Sequence, residues 1–187
     1  MSTGGTSTVR HVVLDRDGVL NRELRGAWTT AIADWEWESG AVEGLALLDA
    51  EGIAVSIVTN QSCISRGLVR AGAVRSLHRW LARELAVLGI HLHGIYVCPH
   101  APDVGCRCRK PSPALVLQAV RSSGVHRRRT VLVGDSTTDA AAARAAGVRA
   151  VGVATGKGQL DGFGERYTTL HEAAAAITST APVGRTS

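Results

Sequence analysis

The stretch 11-HVVLDRDGVLN-21 sets a short apolar run against two aspartates and a glycine. Residues 11–14 have the length and β-branched content of a buried strand, and a polar turn bounds them. Beyond them, 15-DRDGVLN-21 places two carboxylates two residues apart where the chain leaves that strand. If the backbone turns there, both point the same way, with the first able to attack as a nucleophile and the second to hand over a proton. A carboxylate pair equally suits a divalent cation, and an ordinary Asp-Gly turn accounts for the pattern too. Alone, the stretch leaves all three open.

The same strand signature recurs at 54-AVSIV-58, 94-GIYVC-98, 130-TVLV-133 and 149-RAVGV-153. Helical patterns lie between and after these runs, at 41–51, 66–88, 112–122, 138–146 and 169–178. In the longest, Val74, Leu77, Leu81 and Leu85 form a stripe at three- and four-residue spacing, as in a helix that covers a sheet. Strand–helix alternation predicts an α/β fold: a doubly wound, Rossmann-like parallel sheet with helices on both faces. The chain of 187 residues is long enough for one full core. A single domain is expected over 9–178, with Ser-, Thr- and Gly-rich tails at 1–8 and 179–187.

Composition narrows the class. Hydrophobic residues make up 45% and charged residues 20%, the balance of a soluble globular protein. No apolar run is long enough for a bilayer, and the first residues hold no apolar signal core, so no membrane partner and a cytoplasmic location are expected. There thiols stay reduced, and clustered cysteines read as metal ligands before disulfides. The net charge of +5 is dispersed, and its densest run, 126-HRRR-129, falls in a short connection. No nucleic-acid partner is therefore expected. Of the 21 basic residues only Lys110 and Lys157 are lysines, which makes a lysine beside the cysteines worth explaining.

In such a sheet the working residues gather at the carboxyl ends of the strands. After the second run comes 59-TNQS-62, whose hydroxyls, amides and backbone N–H groups suit a phosphate, or equally a capping loop. After the fourth comes 134-GDSTTDAAAARAAG-147, with Asp135 at the strand tip and Asp139 in the first turn of an Ala-rich helix. Dipole compensation is reason enough for Asp139, and a weaker one for Asp135. Lys110, brought to the same edge, would neutralise a phosphate and the attacking carboxylate. The last signal is 98-CPHAPDVGCRCRKP-111, which holds three of the four cysteines and one of the seven histidines.

Taken in order, these sets resemble the haloacid-dehalogenase superfamily of aspartate-nucleophile phosphatases. The resemblance covers about residues 10–155 and rests on Asp15-Arg16-Asp17-Gly18, on Thr59-Asn60-Gln61-Ser62, on Lys110 followed by proline, and on Gly134-Asp135 with Asp139. The wording is closer still to the small members without a separate cap domain, the zinc-containing heptose-bisphosphate and histidinol-phosphate phosphatases. The resemblance implies a Zn²⁺ ion held by Cys98, His100, Cys106 and Cys108, which folds the loop leading to Lys110. Three thiolates and an imidazole fill a tetrahedral shell and leave no position for water, so this metal would be structural.

The resemblance also implies the roles. Asp15 would attack phosphorus and Asp17 would act as general acid and base. Thr59 and Lys110 would stabilise the phosphoryl group, and Mg²⁺ would sit on Asp15, the Asp17 carbonyl and Asp135, with Asp139 in support. Substrate contacts are expected from Asn60, Gln61, Ser62, Arg109, Glu23, Arg25, Gly26, Trp28 and Ser136. The match thins where the sugar is chosen: 23-ELRG-26 and 27-AWTT-30 lack the Asp-His-Gly-Tyr run typical of the heptose enzymes, and Ser136 replaces a lysine. The expected function is removal of one phosphate, the C7 phosphate of a heptose 1,7-bisphosphate, by a monomer acting on a phosphorylated sugar. Histidinol-phosphate phosphatase is the second enzyme reading, and a catalytically silent, zinc-stabilised binding module is the reading outside enzymes. The Gly-rich 152-GVATGKG-158 has the wrong spacing for a nucleotide-binding loop.

Overall fold

Each apolar run becomes a strand of one parallel sheet. The computed structural model describes residues 9–24 and 27–179, so the expected tails lie outside the described residues except for Ser179. The strands are β1 (His11–Leu14), β2 (Ala54–Asn60), β3 (Leu92–Cys98), β4 (Thr130–Gly134), β5 (Arg149–Val153) and β6 (Glu165–Tyr167). Their spatial order is β3-β2-β1-β4-β5-β6, with every pairing parallel. The helices are α1 (Ala41–Ala50), α2 (Ala71–Val87), α3 (Ala114–Ser123), α4 (Thr137–Ala146) and α5 (Leu170–Thr178).

The two-residue period of each central strand divides its side chains between two cores. Val12 and Leu14 of β1, Val55 and Ile57 of β2, and Val131 and Val133 of β4 pack with α1, the end of α2, and α5. Val13, Val58 and Leu132 face the other way, against Val116 and Ala119 of α3 and Ala142, Ala143 and Ala146 of α4. Alanines let α4 lie close to the sheet. The stripe Val74, Leu77, Leu81 and Leu85 is buried, as its spacing predicts, and His78 is buried within it. Each buried leucine or valine contributes roughly 1.5–3 kcal/mol.

Several boundaries shift from the sequence reading, and one strand is added. The helix expected from 66 starts at Ala71, because residues 61–68 close a series of turns, with Arg66 N–H donating to Ser62 O and Leu68 N–H to Cys63 O. Strand β2 runs on through Thr59 and Asn60, which pair with Val97 and Cys98, so the polar residues begin on the strand rather than after it. Strand β6 was not expected: three residues without an apolar run carry no period, and they join the sheet by pairing with β5. Between β1 and α1 the described residues form a 3₁₀ turn, Ile32–Asp34, and the isolated bridges Asp17–Asn21 and Asn21–Trp37.

Candidate active site

Strands β1, β2 and β4 are adjacent, and their carboxyl ends bring the sequence-predicted groups together. Asp15 leaves β1 with its N–H on Val133 O at 3.0 Å. Lys110 Nζ lies 2.8 Å from Asp15 Oδ1 and 2.7 Å from Asp139 Oδ1, and it donates to Val58 O at 3.0 Å. Asn60, the last residue of β2, holds the lysine backbone from both sides. Its Oδ1 accepts from Lys110 N–H at 3.1 Å, and its Nδ2 donates to Lys110 O at 3.2 Å. A buried lysine with three acceptors is a fixed charge rather than a mobile one.

The charge balance around that lysine is uneven. Asp15, Asp135 and Asp139 bring carboxylate oxygens within 4.8 Å of one another. Burial pushes Asp15 up to about 8, with Asp139 and Asp135 adding to the rise and Lys110 opposing it. Asp135 is pushed up to about 6 by burial and then by Asp139. Burial would lower Lys110, but Asp139 and Asp15 outweigh it and hold the ammonium above its ordinary range. Crowded oxygen donors with surplus negative charge suit a hard divalent cation such as Mg²⁺. Asp139 has little left to offer one: Oδ1 is on the lysine, and Oδ2 accepts from Ser136 N–H at 3.2 Å and Ser136 Oγ at 2.6 Å in a capping box of α4.

Asp135 is walled in by backbone. A Cβ on Gly156 would fall 1.8 Å from Asp135 Oδ2, and one on Gly18, whose φ is +80°, would fall 2.6 Å from the same atom. Gly158 N–H donates to that oxygen at 3.3 Å, and Thr155 Oγ1 ties the loop to Gly18 O at 2.6 Å. The glycine-rich stretch after β5 thus shapes the acid site. Its signal in the sequence was three small residues around a strand end.

Asp17 faces a different set of neighbours. Its carboxylate accepts from Arg16 Nη2 at 2.8 and 3.1 Å, from Asn21 Nδ2 at 3.0 Å and from Gln61 Nε2 at 2.7 Å. Burial alone would push it up, yet Arg16, Asn21 and Gln61 together hold it below the usual carboxylate range. Gln61, expected on the substrate, is instead fully buried and bonds Asp17 and Thr59 Oγ1, the latter at 2.8 Å. Two of these neighbours, Arg16 and Asn21, were given no role from the sequence.

A cavity of about 350 Å³ opens above these groups. Asp15, Asp17, Thr59, Asn60, Ser62, Lys110 and Asp135 form its floor and near walls, and Glu23, Trp28, Arg109, Ser136 and Lys157 border it as well. The Arg66 guanidinium lies 5.9 Å from the Trp28 ring centre. Lys157, unassigned from the sequence, donates to Glu23 O across the rim. Arg25 and Gly26 lie outside the described residues.

At the end of β3 the four cysteine-cluster residues converge. Cys98 Sγ is 3.6 Å from Cys106 Sγ and 3.2 Å from Cys108 Sγ, and the Cys106–Cys108 separation is 3.7 Å. His100 Nδ1 lies 3.7 Å from Cys98 Sγ and 3.2 Å from Cys108 Sγ. A tetrahedral Zn²⁺ with bonds of ~2.3 Å to sulfur has ligand–ligand edges of about 3.8 Å, so the cluster matches the shell of one ion. The cysteines are not disulfide-bonded. Burial and the neighbouring thiols push the Cys98 thiol up to about 12, a cost that a bound cation would offset. Arg109 Nη1 donates to His100 O at 3.1 Å, which couples the cluster to the cavity wall. Cys63 stands apart, buried, with its thiol 3.7 Å from Gln61 Oε1.

Comparison with known proteins agrees with this arrangement. A family model described as HAD-hydrolase-like matches residues 107–178. The D-glycero-β-D-manno-heptose-1,7-bisphosphate 7-phosphatase of Pseudomonas putida is 36% identical over 148 residues, 79% of this chain and 84% of that protein. Its counterpart from Bordetella bronchiseptica is 36% identical over 148 residues, 79% of this chain and 82% of the relative. The crystal structure of D,D-heptose 1,7-bisphosphate phosphatase from B. bronchiseptica, complexed with magnesium and phosphate, superposes with a TM-score of 0.82 at 31% identity, covering 90% of this chain and 98% of that one. The Burkholderia thailandensis structure of the same name gives 0.67 at 28% identity, covering 91% and 99%. On relatives of this similarity and coverage, the chain belongs to the haloacid-dehalogenase-like phosphatases, in the family of the heptose-1,7-bisphosphate phosphatases.

Proposed function

We propose that the chain is a Mg²⁺-dependent phosphatase that removes the C7 phosphate of a heptose 1,7-bisphosphate through an aspartyl-phosphate on Asp15. The observation that carries this reading is the Asp15 carboxylate itself, which borders the cavity beside Asp17 and Asp135 with Lys110 Nζ 2.8 Å away. The names of the relatives support the sugar. A monomer acting on a small phosphorylated sugar completes the reading.

Asp15 attacks phosphorus in line, and the sugar oxygen leaves on the side of Asp17. A phosphoryl dianion brought beside Asp17 raises its affinity for a proton, so the carboxyl donates to the departing oxygen and afterwards takes a proton from the attacking water. Lys110 holds an equatorial oxygen, with Thr59 and Ser62 on the same wall. Arg109, Lys157, Trp28 and Ser136 line the same cavity and would meet the remainder of the sugar and its second phosphate. Bound to Asp15, the Asp17 carbonyl and Asp135, Mg²⁺ would screen the nucleophile from the charge it attacks. Zn²⁺ on Cys98, His100, Cys106 and Cys108 would do no chemistry and would fix the segment that carries Arg109 and Lys110.

The test is phosphate release with Mg²⁺ from both anomers of heptose 1,7-bisphosphate, heptose 7-phosphate, histidinol phosphate and a 3′-phosphorylated oligonucleotide. The reading expects one bisphosphate to be turned over fastest, with its product keeping one phosphate. Preference for histidinol phosphate would move the substrate, and no release from any compound would remove the enzymatic reading.

A further inference from the structure

Arg16 is a whole arginine sealed from solvent between two aspartates that the proposed chemistry uses. Burying a guanidinium is expensive unless its fork is fully engaged. Here each arm has a partner. Nε and Nη2 grip the Asp17 carboxylate at 3.3, 2.8 and 3.1 Å, and Nη2 also donates to Thr29 O at 3.0 Å. The remaining arm, Nη1, reaches His78 Nε2 at 3.0 Å.

His78 comes from the buried stripe of α2, sixty-two residues along the chain. An arginine can only donate, so Nε2 must be the acceptor and the ring proton must sit on Nδ1. Burial and the facing guanidinium pull His78 down to about 4, so the ring stays neutral and keeps that lone pair. Helix α2 thereby fixes the rotation of the Arg16 fork. The fork in turn sets which way the two oxygens of Asp17 face, with Asn21 and Gln61 closing the cradle.

We propose that Arg16, held by His78, is a positioning residue that aims the Asp17 carboxyl at the leaving-group oxygen. This rests on the reading of Asp17 as the general acid. In the first half-reaction, which kcat/KM reports, such aim matters only when the leaving group needs a proton. A sugar alkoxide does, whereas p-nitrophenolate departs without one. A role confined to stability would depress both reactions alike.

The experiment measures kcat/KM for heptose 1,7-bisphosphate and for p-nitrophenyl phosphate on the same sample, so any loss of folded protein, and the water-attack step common to both, cancel in their ratio. Asp17→Asn sets the reference, with the ratio falling about a hundredfold or more. His78→Leu removes the acceptor and should lower the ratio about tenfold, and His78→Gln, which restores an acceptor oxygen, should recover most of it. Arg16→Lys keeps the charge, loses the fork and should match His78→Leu, and it carries the test if the leucine variant does not fold. An unchanged ratio in His78→Leu and Arg16→Lys, with Asp17→Asn still selective, overturns this inference alone. An unchanged ratio in Asp17→Asn overturns the acid assignment beneath it.

Discussion

Three carboxylates crowd one ammonium where β1 and β4 end, and that imbalance predicts how single residues respond. Asp15→Asn removes the nucleophile and one of the crowded charges together. Turnover should fall by at least about 10³-fold while the metal-free melting temperature stays level or rises, as phosphate release and calorimetry would show. The pH dependence has a definite sign. Asp15 and Asp135 are raised from the ordinary 3.8 to about 8 and about 6, so the folded chain binds more protons than the unfolded one. Their contribution to metal-free stability is complete below the ordinary aspartate value and is lost as pH climbs through about 6 and about 8. A cation must displace those same protons. The gain in melting temperature on adding Mg²⁺ should therefore be larger at pH 8 than at pH 5, and an equal gain at both would contradict the placement. At this scale, Asp15, Asp17, Lys110 and Asp135 were legible because each follows a recognisable run at the edge where the site must lie. Gln61, Arg16 and His78 were not, because the partner that gives each its meaning lies across the fold. A lone buried histidine in an apolar stripe carries no trace of the arginine it meets.

At the scale of elements, two loops hold the site and can be disturbed separately. The cysteine loop delivers Lys110 through four side chains whose mutual distances match one tetrahedral ion. Cys106→Ser should remove bound zinc, as read by elemental analysis, and reduce kcat at least tenfold or so because Lys110 loses its fixed approach. Full activity without zinc would make the cluster dispensable. In the loop after β5, Gly156 bears directly on Asp135. In Gly156→Ala the new methyl would fall 1.8 Å from Asp135 Oδ2, so the carboxylate must turn away. Half-saturation with Mg²⁺ should rise at least about tenfold with the fold retained, whereas an unaltered Mg²⁺ dependence would mean that Asp135 is not a ligand. The cysteine cluster could be read in advance because three thiols and an imidazole at short spacing have few uses other than holding a metal. The glycine loop could not, since its function is a missing Cβ. Strand β6 escaped for a related reason: its three residues are ordered by the free edge of β5 and not by any pattern of their own.

Across the whole molecule, the order β3-β2-β1-β4-β5-β6 puts the first strand at the centre. The chain winds outward from it in both directions and leaves a crevice at the carboxyl ends of β1 and β4, where such sheets bind ligands. Alternating β-branched runs and helical stripes were enough to foresee this, because strands buried on both faces have almost no choice of residue type. What selects the sugar was less legible. The residues proposed to meet it, Glu23, Trp28, Arg109 and Ser136 from the sequence and Lys157 from the fold alone, reach one cavity from four segments far apart in sequence. Under the opposite end of the sheet, His11 bonds Ser56 Oγ at 3.0 Å and lies near Ser123 and Thr130, and burial pulls it down to about 4. A base lowered in this way stabilises the fold above its ordinary value of 6.5, and that stability is lost as pH falls towards 4. His11→Gln should therefore flatten the acid limb of the melting curve between those values, and an unchanged limb would assign it to other groups.

The most direct test of the account is to trap the covalent intermediate. Acid-quenched turnover of heptose 1,7-bisphosphate, followed by borohydride reduction and peptide mass spectrometry, should convert Asp15, and no other residue, to homoserine, and only when substrate and Mg²⁺ are both present. Reduction at a different residue, or none while phosphate is being released, would contradict Asp15 as the attacking group.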